Sequence, residues 1–128
     1  MSPDEPDRLA AAAWEARANA RVIGPIKVGA AVRSEDGSIF AGCNVEHRYR
    51  SHDIHAEVSA IASLVASGRR TFQAIMVVAE REYFTPCGAC LDWIFEFGGP
   101  GVAVLVQSGP GGRTIEHTAT QLMPFYPR

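Results

Sequence analysis

The chain has 128 residues, 47% of them hydrophobic and 20% charged, which is the composition of a globular protein with one hydrophobic core. Its formal net charge of −2 argues against a nucleic-acid partner, because phosphate binding depends on clustered Lys and Arg. No apolar run approaches a transmembrane helix and the start, Met1 to Asp7, is acidic, so we expect one cytoplasmic domain over residues 1–128 with no membrane partner.

Apolar spacing and turn residues divide the chain into helices and strands in the order α-β-β-α-β-α-β-β. Helices are predicted over 7–20, 55–67 and 87–97. Strands are predicted over 27–32, 39–45, 72–79, 102–106 and 113–117, with a loop over 46–53 and a short tail element over 121–126. This order predicts an α/β fold in which helices cover a mixed sheet.

Two short motifs fall at the starts of the second and third predicted helices. They occupy residues 55–57 (His-Ala-Glu) and 86–90 (Pro-Cys-Gly-Ala-Cys), and together they read H-x-E…P-C-x-x-C. The side chains with metal-ligand chemistry are His55, Cys87 and Cys90. Three protein ligands leave the fourth position of Zn²⁺ open for water, as in catalytic zinc sites. Glu57 lies beside a ligand and can move protons, so the motifs predict hydrolytic release of ammonia from an amidine-like ring carbon.

Two other interpretations of the motifs remain open. A lone C-x-x-C is also found in redox pairs, although three cysteines in all do not suggest a disulfide framework. A closed structural zinc site would need a fourth ligand, for which residue type alone offers Cys43, His47, His52 and His117.

Further segments, in order along the chain, carry a family resemblance. They are 28–32 (Val-Gly-Ala-Ala-Val), 36–37 (Asp-Gly), 42–46 (Gly-Cys-Asn-Val-Glu), 96–98 (Glu-Phe-Gly) and 122–124 (Leu-Met-Pro). With the zinc motifs, they make the chain resemble the small-subunit cytidine deaminases, with the blasticidin S deaminases as near relatives. The resemblance implies a three-layer fold with a mixed five-stranded sheet, Zn²⁺ as cofactor, and a nucleoside-like small-molecule substrate. It also implies a role in pyrimidine salvage and a homotetramer, with a homodimer as the alternative.

The same resemblance implies roles for individual residues. Glu57 would be the catalytic group, protonating ring N3 and carrying protons to the departing ammonia. Asn44 and Glu46 would hold the ribose hydroxyls, and the backbone at Ala56 would meet the pyrimidine carbonyl. The full set of implied substrate-binding residues is Asn44, Glu46, Ala56, Pro86, Ile26 and Phe125. Without the resemblance, Asn44 and Glu46 could equally stabilise a loop after a strand.

One departure from the family pattern concerns the metal. Small-subunit cytidine deaminases typically have Cys as the first ligand, where this chain has His55. Two thiolates and a neutral imidazole balance Zn²⁺, whereas three thiolates leave a negative charge that arginines in those relatives offset. Val58 and Leu91 occupy the positions of those arginines, so the three differences agree and favour a functional centre.

Other departures concern the substrate. Ile26 replaces a family aromatic, Asp92 a common Gln, and the segment 47–54 is basic and aromatic where the family is small and neutral. The pocket could therefore take a modified cytidine, a nucleobase, a nucleotide or a blasticidin-type antibiotic. Arg48 and Arg50 could meet an anionic group of the substrate or could equally form surface or subunit contacts. The remaining alternative is a zinc-binding interaction module without turnover. The His-Ala-Glu motif is also similar to that of tRNA adenosine deaminases, but the acidic chain favours a free nucleoside.

Overall fold

The computed structural model describes residues 3–127, which form four α-helices and one mixed sheet. The helices are α1 (Glu5–Arg17), α2 (Ala56–Ala66), α3 (Gly88–Gly98) and α4 (Ala119–Leu122). The strands are β1 (Gly29–Arg33), β2 (Ile39–Cys43), β3 (Ala74–Val78), β4 (Ala103–Gln107) and β5 (Thr114–Thr118). A single 3₁₀ turn, Arg50–His52, interrupts the predicted loop. Among residues 3–127, no helix is both long and apolar enough to cross a membrane.

The sheet has the strand order β2-β1-β3-β4-β5. Strands β3 and β4 are parallel, and the other neighbours are antiparallel, so the predicted mixed five-stranded sheet is confirmed. The β1–β2 hairpin turns at Gly37, whose φ of +88° lies in the left-handed region that glycine adopts freely. The parallel pair requires a crossover, and α3 provides it. The connection that leads from the central strand β3 to β4 therefore carries the Pro-Cys-Gly-Ala-Cys motif at the start of α3.

Two hydrophobic clusters lie on opposite faces of the sheet, which gives the three layers implied by the family resemblance. On one face, Leu9 and Ala13 of α1 pack against Met76 and Leu105 of the sheet. On the other face, α2 and α3 pack against the sheet through buried residues that include Ile61, Leu64, Ile94 and Phe95, with Val77 and Val104 from the strands. Every residue of β3 is buried, because helices cover both of its faces.

Two glycines let helices approach the sheet closely on its two faces. A Cβ on Gly42 would lie 2.6 Å from the backbone nitrogen of Ala60 in α2. A Cβ on Gly29 would lie 2.8 Å from the Cβ of Arg17 in α1. Both distances are shorter than real Cβ contacts, so each glycine sets the distance between one helix and the sheet.

The element bounds differ from the sequence predictions mainly at the chain ends. Helix α1 begins at Glu5 because Pro6 falls in the first turn, where a missing N–H group costs nothing. It ends at Arg17 because the chain must then reach the β-bridge between Arg21 and Val45. The predicted tail element is the helix α4, which starts earlier than expected at a capping box formed by Thr118 and Gln121.

Candidate active site and metal centre

The metal-ligand side chains lie where two helices begin. His55 is the N-cap residue of α2 and Cys87 is the N-cap residue of α3, both with extended backbone conformations. Cys90 lies in the first turn of α3, three residues after Cys87, which places both thiols on one side of that helix. Helix α2 packs on β1 and β2, and α3 follows β3, so the sheet holds both helix starts in place.

The distances among the three side chains fit a zinc ion. The Nδ1 atom of His55 lies 3.2 Å from the Sγ atom of Cys90 and 3.5 Å from the Sγ atom of Cys87. Zinc–nitrogen and zinc–sulfur bonds of standard length at tetrahedral angles separate the two ligand atoms by about 3.6 Å. The ligand atoms thus already surround a position of the right size for Zn²⁺.

The fourth ligand of a closed structural site is missing from the part of the chain that the structure describes. Within residues 3–127, the three side chains form the one His, Cys, Asp or Glu group compact enough to hold a metal. Cys43, His47, His52 and His117 do not join it. The arrangement therefore matches a catalytic zinc site, with one position left for water, and not a structural one.

The surroundings of Cys90 and His55 favour a metal site over a redox pair. Burial raises the pKa of the Cys90 thiol, and the neighbouring Glu57 and Cys87 side chains raise it further. His55 also places its Nδ1 atom within 3.5 Å of both sulfur atoms, which a metal site needs and a C-x-x-C redox pair does not. A buried Cys90 thiolate needs a cation beside it, and Zn²⁺ bound by all three ligands supplies that cation.

Glu57 lies in the first turn of α2 and only 5% of it is exposed. Burial raises the pKa of its carboxyl group, while a backbone hydrogen bond, the neighbouring His55 and a hydrogen bond with Cys90 lower it. A carboxyl group with a raised pKa gains and loses protons closer to neutral pH, which suits acid–base catalysis. Glu57 thus adjoins the metal position without being one of the three ligands.

A cavity of about 270 Å³ opens directly onto this centre. Its lining includes His55, Glu57 and Cys87, and we call this end of the cavity, beside the metal position, the floor. The apolar lining residues are Ile26, Val28, Ile54, Ala56, Val77, Ala79 and Phe84. The polar and charged lining residues beyond the floor, which we call the rim, are Asn44, Glu46, Arg50, Asp53, Arg81 and Thr85. An apolar slot with polar groups at its floor and rim is typical of a small-molecule site.

Asn44 and Glu46 both line the cavity, and both also hold the chain segment that forms one of its walls. The side chain of Asn44 accepts a hydrogen bond from the Val28 backbone at 2.9 Å and donates one to the Ile26 carbonyl at 3.0 Å. The Oε1 atom of Glu46 accepts hydrogen bonds from the backbones of Ile23 and Gly24 at 2.7 and 2.8 Å. These bonds lower the pKa of the Glu46 carboxyl group, so it stays ionised.

Of the two arginines singled out in the sequence, one lines the cavity. Arg50 does so, but it is engaged by Glu46 at 3.1 Å and by Asp53 at 2.9 Å. Arg48 stacks over Tyr49 instead, 5.0 Å from the ring centre, and is not among the lining residues. The loop over residues 46–53 therefore contributes one arginine to the cavity, Arg50, and two carboxylates already pair with it.

The remaining implied substrate residues lie in different places. Ile26 and Ala56 line the cavity. Pro86 is buried between Thr85 and Cys87 and is not part of the lining. Phe125 is 94% exposed and does not line the cavity of its own chain. A role for Phe125 at a substrate would therefore require a neighbouring copy of the chain.

The sequence interpretation missed the wall formed by the end of β3 and the segment after it. Val77, Ala79 and Arg81 alternate along the chain and all line the cavity, as residues on one side of an extended segment do. Phe84 and Thr85 line it again before the cysteine motif. The period-two alternation that continues from the strand as far as Arg81 is the signal that could have identified this wall.

Comparisons with known proteins agree with this site. A family model of the cytidine and deoxycytidylate deaminase zinc-binding region matches residues 4–106. A cytidine deaminase of Sporosarcina psychrophila is 38% identical over 120 residues, covering 92% of this chain and 88% of the relative. A blasticidin-S deaminase of Bacillus cereus is 28% identical over 107 residues, covering 77% and 74%. The crystal structure of cytidine deaminase from Burkholderia pseudomallei superposes with a TM-score of 0.85 at 35% identity and covers 98% of both chains.

Proposed function

This chain belongs to the cytidine and deoxycytidylate deaminase family and is a zinc-dependent hydrolytic deaminase, and we propose that it deaminates cytidine, deoxycytidine or a related aminopyrimidine nucleoside. The observation that carries the proposal is the juxtaposition of three zinc-ligand side chains and a buried carboxyl group at the floor of one cavity. A non-catalytic zinc module would not need that carboxyl group beside the metal.

The ligands in this proposal are His55, Cys87 and Cys90, and Zn²⁺ bound there supplies the Lewis acidity that makes water a nucleophile near neutral pH. Glu57 takes a proton from the attacking water and gives it to N3 of the pyrimidine ring. The oxygen of water bonds to C4, its second proton goes to the amino nitrogen by way of Glu57, and the C4–N bond breaks. Uridine and ammonia are the products.

Substrate placement follows from the walls of the cavity. The pyrimidine enters between apolar walls that include Ile26 and Phe84, with its carbonyl oxygen near the backbone at Ala56. Asn44 and Glu46 retain hydrogen-bonding capacity beyond their backbone bonds, because an amide nitrogen has two hydrogens and a carboxylate has several lone pairs. That capacity would receive the ribose hydroxyls at the rim.

We further propose that residues 1–128 act as one domain in the cytoplasm, in pyrimidine salvage, and that the working unit is a homotetramer. Exposed apolar side chains near the cavity mouth support the assembly, namely Ile26, Val45 and Ile54. Phe125 supports it too, because this exposed aromatic side chain could complete the site of a neighbouring chain.

A nucleoside antibiotic is the second candidate substrate. The similarity to a blasticidin-S deaminase favours it, as does Ile26 in place of a family aromatic, which leaves more room at the base. Cytosine, a cytidine nucleotide and an antibiotic of this class therefore belong in the same test as the nucleosides.

The test is ammonia release from purified zinc-loaded protein with cytosine, cytidine, deoxycytidine, cytidine monophosphate, blasticidin S and adenosine. We expect turnover of cytidine or deoxycytidine, and we expect Glu57→Gln to reduce it by about 10²- to 10⁴-fold, the usual worth of positioned acid–base catalysis. Zinc content should stay at one ion per chain in that variant.

Glu116→Gln, which neutralises an exposed carboxylate on β5, is the matched control and should keep its activity. Absence of ammonia release from every compound would contradict the proposed function. Turnover within a few-fold of wild type in Glu57→Gln would instead leave Glu57 as a structural residue of α2.

A further inference from the structure

Arg81 is a cation of the cavity wall that the deamination chemistry does not use. It lines the cavity together with Val77 and Ala79, and of these three residues Arg81 is the exposed one. In the part of the chain that the structure describes, the Arg81 guanidinium forms no hydrogen bond or ion pair with another side chain. The other arginine of the lining, Arg50, is held between Glu46 and Asp53.

The backbone around Arg81 keeps it beside the cavity. Ala79 donates a backbone hydrogen bond to Gln107 at 3.3 Å, which extends the strand pairing one residue beyond β3. Two residues after Arg81, the chain bends at Tyr83, whose φ of +53° lies in the left-handed region. Phe84 then returns to the lining. Arg81 therefore sits on a short loop fixed at both ends, with its side chain on the cavity side.

The carboxylates at the rim already have partners. Glu46 accepts two backbone hydrogen bonds and pairs with Arg50. Asp53 accepts a backbone hydrogen bond from His47 at 2.7 Å and also pairs with Arg50. The pKa values of both carboxyl groups are lowered by these bonds. These bonds satisfy the rim carboxylates without Arg81, whose guanidinium stays available to a ligand.

We propose that Arg81 is a specificity residue that binds an oxyanion, a phosphate or a carboxylate, on the sugar end of the substrate. The base must point to the metal floor for deamination, so the sugar and its substituents face the rim where Arg81 lies. A guanidinium group binds either oxyanion through paired hydrogen bonds. The inference rests on the proposed function, since that function fixes which end of the ligand reaches Arg81.

The experiment measures equilibrium binding to zinc-loaded protein by calorimetry with three unreactive products: uridine, uridine 5′-monophosphate and uridine 5′-carboxylate. The variants are Arg81→Gln and Arg81→Lys, with Arg113→Gln as the charge-matched control at an exposed position outside the cavity. The deamination rates of cytidine and its 5′-phosphate and 5′-carboxylate are measured alongside.

Wild-type protein should bind at least one anionic product more tightly than uridine. That preference should fall by about 3- to 30-fold in Arg81→Gln, the range between a screened surface pair and a charge-assisted hydrogen bond. Arg81→Lys should retain part of it, Arg113→Gln should retain all of it, and added salt should weaken it. A preference for the phosphate would indicate a nucleotide, and a preference for the carboxylate would indicate an acidic nucleoside.

The inference is overturned if wild-type protein binds uridine as tightly as both anionic products, or if Arg81→Gln and Arg113→Gln reduce the preference equally. Failure of the proposed function looks different. In that case no cytidine compound releases ammonia, whatever the binding preference of the three products.

Discussion

At the scale of single residues, the metal centre combines one accessible thiol and one buried thiol. Cys87 is exposed at the N-cap of α3, whereas Cys90 is buried and its thiol pKa is raised, chiefly by that burial. Zinc binding at Cys90 must displace a proton from this thiol. Metal loading should therefore become weaker as the pH falls, because protons compete with zinc for the thiolates.

Removal of the two thiols should abolish zinc binding. Metal analysis of the wild-type protein should give one zinc per chain, and the Cys87→Ala/Cys90→Ala double variant should give none. Cys43→Ala is the matched control, since Cys43 is the third cysteine and is not part of the ligand group, and it should keep its zinc. Stoichiometric zinc in the double variant would contradict the ligand assignment.

The metal-ligand group can be predicted from the sequence, because the two residues of the C-x-x-C pair, like those of the H-x-E pair, lie within one helical turn of each other. Two properties of the site cannot be predicted in this way. The raised pKa of Cys90 depends on burial by distant parts of the chain. The hydrogen bonds of the Asn44 side chain depend on the register of the β1–β2 hairpin, which brings the segment before β1 opposite Asn44.

At the scale of elements, helix α2 carries Glu57 and has the proposed zinc ligand His55 as its N-cap residue, so the distance of α2 from the sheet controls the site. That distance is set at Gly42 in β2, where an added Cβ would meet the backbone of Ala60. On the opposite face, Gly29 plays the same part for α1, which carries no site residue. The two glycines thus allow the effect of helix displacement on stability to be separated from its effect on the site.

Gly42→Ala should destabilise the fold by about 1–3 kcal/mol, the usual cost of overpacking, because α2 must move away from the sheet. It should also weaken zinc binding and turnover, since His55 and Glu57 move with α2. Urea unfolding measures the first effect and competition with a zinc chelator measures the second. Gly29→Ala is the control and should lower stability without weakening zinc binding, so equal zinc loss in both variants would contradict this account.

Element types were predicted correctly along the chain, because buried strands such as β3 and amphipathic helices such as α3 have distinct apolar patterns. The ends of α1 and the start of α4 were not. Those bounds depend on capping and on a β-bridge from Arg21 to Val45, which connects parts of the chain that are distant in sequence. The order of the strands within the sheet is known only from the structure, since periodicity alone does not specify which strands are neighbours.

At the scale of the whole molecule, the described chain leaves two aromatic side chains, Tyr83 and Phe125, almost fully in solvent, and Phe125 is the one implied at a substrate site. Phe125 follows α4, whereas the next residue, Tyr126, stacks on Phe95 of α3 with ring centres 4.1 Å apart and donates a hydrogen bond to Asp92. Asp92, which departs from the family pattern, thus has a partner in the same chain. The contact fixes the direction in which the neighbouring Phe125 leaves the surface.

If the proposed tetramer places Phe125 in the site of a neighbouring chain, mixing two inactive variants should restore part of the deaminase activity. Light scattering should give a homotetramer at micromolar concentration, and Phe125→Ala alone and Glu57→Gln alone should each have low turnover. Mixed tetramers of the two should regain part of the wild-type rate, because some sites then combine an intact Glu57 with an intact Phe125 from another chain.

The control replaces Phe125→Ala in the mixture with wild-type protein and gives the rate expected from dilution alone. Ile115→Ala, at another exposed apolar position, should be as active as wild type. A fully active monomer, or mixed tetramers no more active than the single variants, would contradict a shared site.

The double engagement of Asn44 has a consequence for inhibitor design. One amide group supports the wall beside the base and also faces the position expected for the sugar. A compound that draws this amide towards a modified sugar would loosen the Ile26 wall and lose affinity at its base. Sugar and base modifications in an inhibitor series should therefore give non-additive affinities, and their coupling energy would report on Asn44.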